Sequence, residues 1–150
     1  MLVLGASLAA PALGAGTDLA FSGPAGWSHV TQTASDPSRQ FQQWRFAADP
    51  PEILTVMKDT TTNFADAIAT MKKNIADNGF KVTLDSNQTC QGRPSHITEF
   101  AFGPQGHTTI INRLIVPQDD GIVTVTYTRG EGFNYDDDVK KAVAAYCKPA

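Results

Sequence analysis

Four apolar residues, Phe64, Ile68, Met71 and Ile75, recur along TTNFADAIATMKKNIADNGF at spacings of four, three and four. That period gathers them into one stripe on an α-helix and leaves the intervening polar residues on the other side. Both ends of the helix are also encoded locally. Asn63 is a good N-cap, and Asp66, at the third helical position, lies near the positive end of the helix dipole. Gly79 suits the left-handed position just past the C-terminus, from which Phe80 folds back onto Ile75.

Most of the remaining pattern is that of strands. A Pro-Ala-Gly turn precedes Trp27 in LAFSGPAGWSHVTQ and is flanked by segments able to form short strands, and ASDPSR is a loop by composition. In QFQQWRFA the apolar Phe41 and Trp44 are out of phase, yet the composition favours a strand. A double proline precedes EILTVMKD, which places Ile53, Thr55 and Met57 on one face and Leu54 and Val56 on the other. After the helix, FKVTLD, PSHITEFAF, HTTIINRLIV and GIVTVTYTR are four further strands, and the short links between the last three imply an antiparallel meander. The closing YDDDVKKAVAAYC is a second helix, with Val139, Val143 and Tyr146 on one face and aspartates in its first turn. The predicted class is α+β: an antiparallel sheet of about six or seven strands flanked by two main helices.

Register gives the polar positions content. Two-residue loops at Pro104-Gln105 and Asp120-Gly121 would align His96, Arg113 and Thr128 across three strands. This lateral row would lie on a half-exposed sheet face and offer an arginine fork to a carboxylate or phosphate. The opposite face would collect Ile97, Ala101, Ile110, Leu114, Val116, Val123, Val125 and Tyr127 as the main core. Glu99 falls on that core face too, an awkward place for a charge. The bland alternative for the row is a solvated polar face, since alternation of this kind is normal for antiparallel sheets.

Composition narrows the setting. The chain has 150 residues, 41% hydrophobic and 18% charged, and a formal net charge of −3. That is the size of one globular domain with a real core. There is no basic run to neutralise phosphates or anchor to a membrane surface, so nucleic acid is not an expected partner. Residues 1–16, MLVLGASLAAPALGAG, carry no charge and resemble the apolar and cleavage regions of a signal peptide truncated at its N-terminus. They are too short to span a bilayer, and a buried N-terminal helix is the competing reading. We take 1–16 as a signal peptide and 17–150 as a single domain, which places the mature chain in the periplasm or outside the cell, as a monomer with no integral membrane segment.

In an oxidising compartment the only two cysteines, Cys90 and Cys147, are expected to form a disulfide. It would close a loop of roughly 57 positions, worth about 4 kcal/mol by chain entropy. Free buried thiols are the alternative, and a metal would need further ligands that no nearby spacing supplies. No metal and no cofactor is expected.

Catalytic signals are weak. Ser95 and His96 are adjacent on a strand and so point to opposite faces, and GWSHV lacks the second glycine of a nucleophile elbow. His107 lies near a turn, far along the strand from His96, and His29 cannot be grouped with either. The aspartates 136 to 138 are explained by the dipole of the closing helix. Asn87-Gln88-Thr89 matches a glycosylation sequon, a match common by chance. Trp27, Phe41, Trp44, Phe100 and Phe102 are core candidates that would alternatively line an apolar pocket.

Element order and three stretches, SGPAGW, EILTVMKDTTTNFADAIATMKKNIADNGFKV and GRPSHITEF, together with DGIVTVTYTR and the closing helix, resemble the PsbP-like superfamily. That fold is shared by the photosystem II extrinsic protein, a Ran-nucleotide-release factor and many exported bacterial proteins. The resemblance spans roughly residues 18 to 147 and carries no catalytic signature. It implies an α-β-α sandwich and an accessory, assembly or lipid- or protein-binding role. The expected function is thus an exported non-catalytic domain that binds a protein partner or a small apolar or anionic ligand. The alternative is a small secreted hydrolase or transferase using His96 with Arg113.

Overall fold

The structure is a computed structural model that describes residues 23–30, 36–90 and 92–146, without the side chains of residues 142, 143, 145 and 146. The expected signal peptide and Cys147 lie outside the described residues. Seven strands and two helices follow one another: β1 (Ser28–Val30), β2 (Arg39–Phe46), β3 (Glu52–Asp59), α1 (Phe64–Asp77), β4 (Lys81–Cys90), β5 (Arg93–Phe102), β6 (Thr109–Gln118), β7 (Gly121–Gly130) and α2 (Asp137–Tyr146). All strands pair antiparallel in a single sheet of order β1-β2-β3-β7-β6-β5-β4. The α+β class follows. Among the described residues, only the β3–β7 ladder joins strands that are not neighbours in sequence.

Helix α1 has both predicted caps. The Asn63 side chain accepts from the Asp66 N–H at 2.9 Å. At the other end Gly79, at φ 65°, lets the Phe80 N–H donate back to the Ile75 carbonyl at 3.1 Å. Asp136 caps α2 by accepting from the N–H groups of Asp138 and Val139. Asp137 and Asp138 pair with Lys140 and Lys141 one turn on. The aspartate run is therefore a helix start.

Apolar residues pack on both faces of the sheet, with Trp44 on one and the half-buried Phe41 on the other. On one face Trp44, Leu54, Val56, Leu114, Val116, Val123, Val125 and Tyr127 pack with Val139 of α2. On the other, Met71 and Ile75 of α1 pack with Phe100, Ile115 and Ile122, joined by the half-buried Phe64, Ile68, Phe80 and Ile111. Burying Met71 and Ile75 alone contributes about 1.5–3 kcal/mol each. The face assigned by sequence to solvent is the one α1 covers. An alternating strand cannot show this, because the period reports two faces without saying whether a distant helix covers the second.

Both expected loop registers are off by two residues. The β5–β6 connection runs from Gly103 to Thr108 and closes with the His107 N–H donating to the Pro104 carbonyl, so Phe102 pairs with Thr109. The β6–β7 loop is Asp119-Asp120, and Gln118 pairs with Gly121. Contacts with β3 and the segment after it account for this second register. Asp120 forms a 2.7 Å ion pair with Lys58, and Gly121 lies so close to the Asp59 carbonyl that no side chain fits. A shift of two keeps every side chain on its expected face but changes its neighbours.

Candidate functional site

The observed register replaces the expected row. His96 pairs with Ile115, Arg113 with Thr98 and Thr126, and Thr128 with Ile111. His96, Arg113 and Thr128 therefore share a face but are not cross-strand neighbours. In their place a different strip crosses the α1-side face: Thr98 on β5, Arg113 on β6, Thr126 on β7, Thr55 on β3 and Gln43 on β2.

Arg113 sits between Thr98 and Thr126 in that strip, half-buried on the face covered by α1. Its Nε donates to Thr126 Oγ1 at a long 3.4 Å, and its guanidinium carbon lies 5.7 Å from the centre of the Phe100 ring. Among the described residues its two terminal amino groups meet no carboxylate and no hydrogen-bond acceptor. Burial lowers its pKa from the usual arginine value, though a guanidinium stays charged at any physiological pH. Beside it, Thr98 is 1% exposed and its hydroxyl has no hydrogen-bond partner.

His96 is 2% exposed and held from two sides. Its Nδ1 lies 2.8 Å from Asn87 Oδ1, the geometry of an N–H donating to the amide oxygen. Its Nε2 lies 2.6 Å from Asp85 Oδ1. Asp85 is in turn paired at 2.9 Å with Lys72 on α1. The Lys72 ammonium, with His96 adding to it, lowers the Asp85 pKa. The cluster ties α1 to β4 and β5 and holds the imidazole below the surface.

On the opposite face Arg129, Glu99 and Tyr127 are, by contrast, satisfied, while the buried Gln40 Oε1 has no hydrogen-bond partner. Arg129, 7% exposed, donates through Nε to the Phe133 carbonyl, through Nη1 to Asn112 Oδ1 and through Nη2 to Glu99 Oε2. It also lies 5.5 Å and 5.4 Å from the rings of Tyr127 and Tyr135. Glu99 accepts further from Thr83 and Asn112. Burial works to raise its pKa, and the bonds from Thr83, Asn112 and Arg129 outweigh that and lower it. The Tyr127 hydroxyl donates to Glu52 at 2.5 Å, and its pKa is raised, first by burial and then by the Glu52 carboxylate. Glu99 is thus on the core face as the alternation implied, and Arg129 and Asn112 are there to receive it. The signal was available: Asn112 and Arg129 alternate onto the same face as Leu114 and Tyr127.

The other candidates disperse. His29 is exposed on β1, 5.4 Å from the Trp44 ring, and His107 is exposed in the β5–β6 loop. Trp44 and Phe100 are buried on opposite faces, while Phe102 is exposed and stacks on Phe80, so the five aromatics do not line one pocket. Asn87 of the sequon lies on a strand with its side chain engaged by His96. Cys90 ends β4 and is buried in the core that Val139 joins. No cluster of three or more His, Cys, Asp or Glu able to hold a metal occurs among the described residues, and none of their helices is long and apolar enough to cross a membrane.

No protein-family model matches the chain, the PsbP-like family included, and no curated protein does. Solved structures do. One is a protein of unknown function from Pseudomonas aeruginosa, PA94, described as a putative regulator: it is 12% identical, with 80% of this chain and 90% of that chain covered and a TM-score of 0.54. Another is LpqN, involved in cell envelope biogenesis of Mycobacterium tuberculosis, at 14% identity, 85% and 77% coverage and a TM-score of 0.40. The likeness to PA94 is one of fold.

Proposed function

We propose that the chain is an exported, non-catalytic accessory domain that acts by binding. The observation that carries this is the state of His96. The residue on which a hydrolase or transferase would depend is buried, clamped between Asn87 and Asp85, and out of register with Arg113. The remaining histidines are scattered. A fold shared with a putative regulator is compatible with a role exerted through binding, although fold alone does not assign one.

Export rests on the uncharged apolar stretch 1–16, and the oxidising compartment it implies supports a Cys90–Cys147 disulfide that would tie the chain after α2 to the end of β4. We read the domain as a periplasmic or secreted monomer of PsbP-like α-β-α form, on its element order and on the packing of α1 and Val139 against opposite faces.

The test is to export the chain, purify it gently and compare intact masses under native and denaturing non-reducing conditions. A bound small molecule or protein released on denaturation is expected, with the denatured polypeptide about 2 Da below its reduced mass. Hydrolysis of ester or phosphoester substrates that disappears in His96→Gln would overturn the non-catalytic reading.

A further inference from the structure

We propose that Arg113, with the hydroxyls of Thr98 and Thr126, forms a seat for an oxyanion, a carboxylate or a phosphate carried by a small ligand. This deepens the binding-domain reading and rests on it.

The contrast between the buried Arg129 and the half-buried Arg113 carries the inference. A guanidinium withdrawn from water is costly unless its charge and donors are matched. Arg129 is matched by Glu99, Asn112, a backbone carbonyl and two tyrosine rings. Arg113, on the face covered by α1, has one long bond to a threonine and the face of Phe100. The bond from Nε and the contact with Phe100 hold the guanidinium in place while leaving its terminal amino groups for a bidentate acceptor. Thr98, directly across the strand pair, brings a buried hydroxyl without a partner, a second group whose burial is uncompensated in the same place. Thr126 accepts from Arg113, so its own hydroxyl proton is free to be donated to a third atom.

An oxyanion resolves all of these together: it neutralises the charge, occupies the terminal donors and accepts from both hydroxyls. A cation or a purely apolar molecule resolves none of them. Beyond Thr126 the strip continues through the half-buried Thr55 and Gln43, linked at 3.4 Å, which favours a ligand whose body is itself polar.

The experiment is a titration of the isotope-labelled full chain with inorganic phosphate and, separately, with acetate, followed by NMR on the Arg113 side-chain Nε–H and the amides of Thr98, Arg113 and Thr126. Saturable shifts confined to these groups are expected with at least one probe. Phosphate alone would identify a phosphate-bearing ligand, acetate alone a carboxylate, and both an oxyanion seat indifferent to the two. Arg113→Gln is expected to weaken binding at least about tenfold, and the isosteric Thr98→Val several-fold, both with the amide spectrum otherwise retained. Thr98→Val keeps the test decisive if Arg113→Gln does not fold. Absence of saturable shifts with both probes, or unchanged affinity in a folded Arg113→Gln, would overturn the seat. A neutral molecule co-purifying with the exported protein in the first case would show that the binding-domain reading survives without it.

Discussion

Replacing Asp59 by asparagine probes the joint between β3 and α1. The Asp59 side chain is 4% exposed and gathers the chain as it leaves the sheet. Its Oδ1 accepts from the Thr61 N–H at 2.8 Å, the Thr61 hydroxyl at 2.7 Å and the Thr62 N–H at 3.2 Å, while Oδ2 accepts from the Thr62 hydroxyl at 3.0 Å and Arg39 Nε at 3.3 Å. Burial works to raise the Asp59 pKa, but the Thr61 and Thr62 bonds together with Arg39 overcome it and bring the value from 3.8 down to about 2. At 1.36 kcal/mol per unit, the preference for the ionised form contributes about 2.4 kcal/mol of stability at neutral pH. The sign follows from the depression: the contribution is complete above the unfolded value near 3.8 and is lost as pH falls through about 2. Asp59→Asn keeps the shape, removes the charge and turns an amide group toward donors. Urea unfolding at pH 7 is expected to show a loss of about 2–3 kcal/mol, and at pH 2.5 the gap between variant and wild type should narrow by about 1.5 kcal/mol. A gap of the same size at both pH values, or one below about 0.5 kcal/mol at pH 7, would refute the account.

Gly121→Ala is expected to destabilise by more than about 2 kcal/mol in the same assay, because the residue has φ 135° and an added methyl would collide with the Asp59 carbonyl. Removing the nearby Lys58–Asp120 pair by Asp120→Asn should cost less than about 1 kcal/mol, since the aspartate side chain is 63% exposed. Arg129→Met should lose about 3–5 kcal/mol by stranding Glu99 and Asn112, and adding Glu99→Gln should restore part of it; additive losses in the double variant would contradict the network. Thermal unfolding of Met71→Ala should report a loss of about 2–4 kcal/mol, whereas Lys73→Ala on the exposed side of α1 should be nearly silent.

Local signals were legible where one segment contains the whole cause. Asn63, Asp66, Gly79 and Phe80 define α1 because a cap is made by residues within a turn of the helix end. The strand β3 was readable to the residue because its two proline neighbours and β-branched content act within the strand itself. Register was not readable. The Asp120-Gly121 pair looks like the centre of a hairpin turn, yet Gly121 serves the close approach of the Asp59 backbone, a contact from another part of the chain. Arg113 keeps its expected face, but its neighbours changed with the two-residue shift, from His96 and Thr128 to Thr98 and Thr126. Likewise the burial of His96 depends on α1 lying over β5, which no alternation within PSHITEFAF encodes.

The β3–β7 ladder bears on how the chain acquires structure. The strands β4 to β7 follow one another through turns and can zip as consecutive hairpins, and so can β1 to β3. Joining the two sets means pairing Leu54 with Tyr127 and Val56 with Val125 across roughly half the chain, at a loop-closure cost the hairpins do not meet. Until that happens β3 and β7 each present an open edge to any other chain in the same state. The protein is thus two meanders closed along one seam, and crowding would act on the seam first. Pulse-labelled hydrogen exchange should find the β5–β7 amides protected before those of β3, and variants that weaken the seam should aggregate before they lose the hairpins.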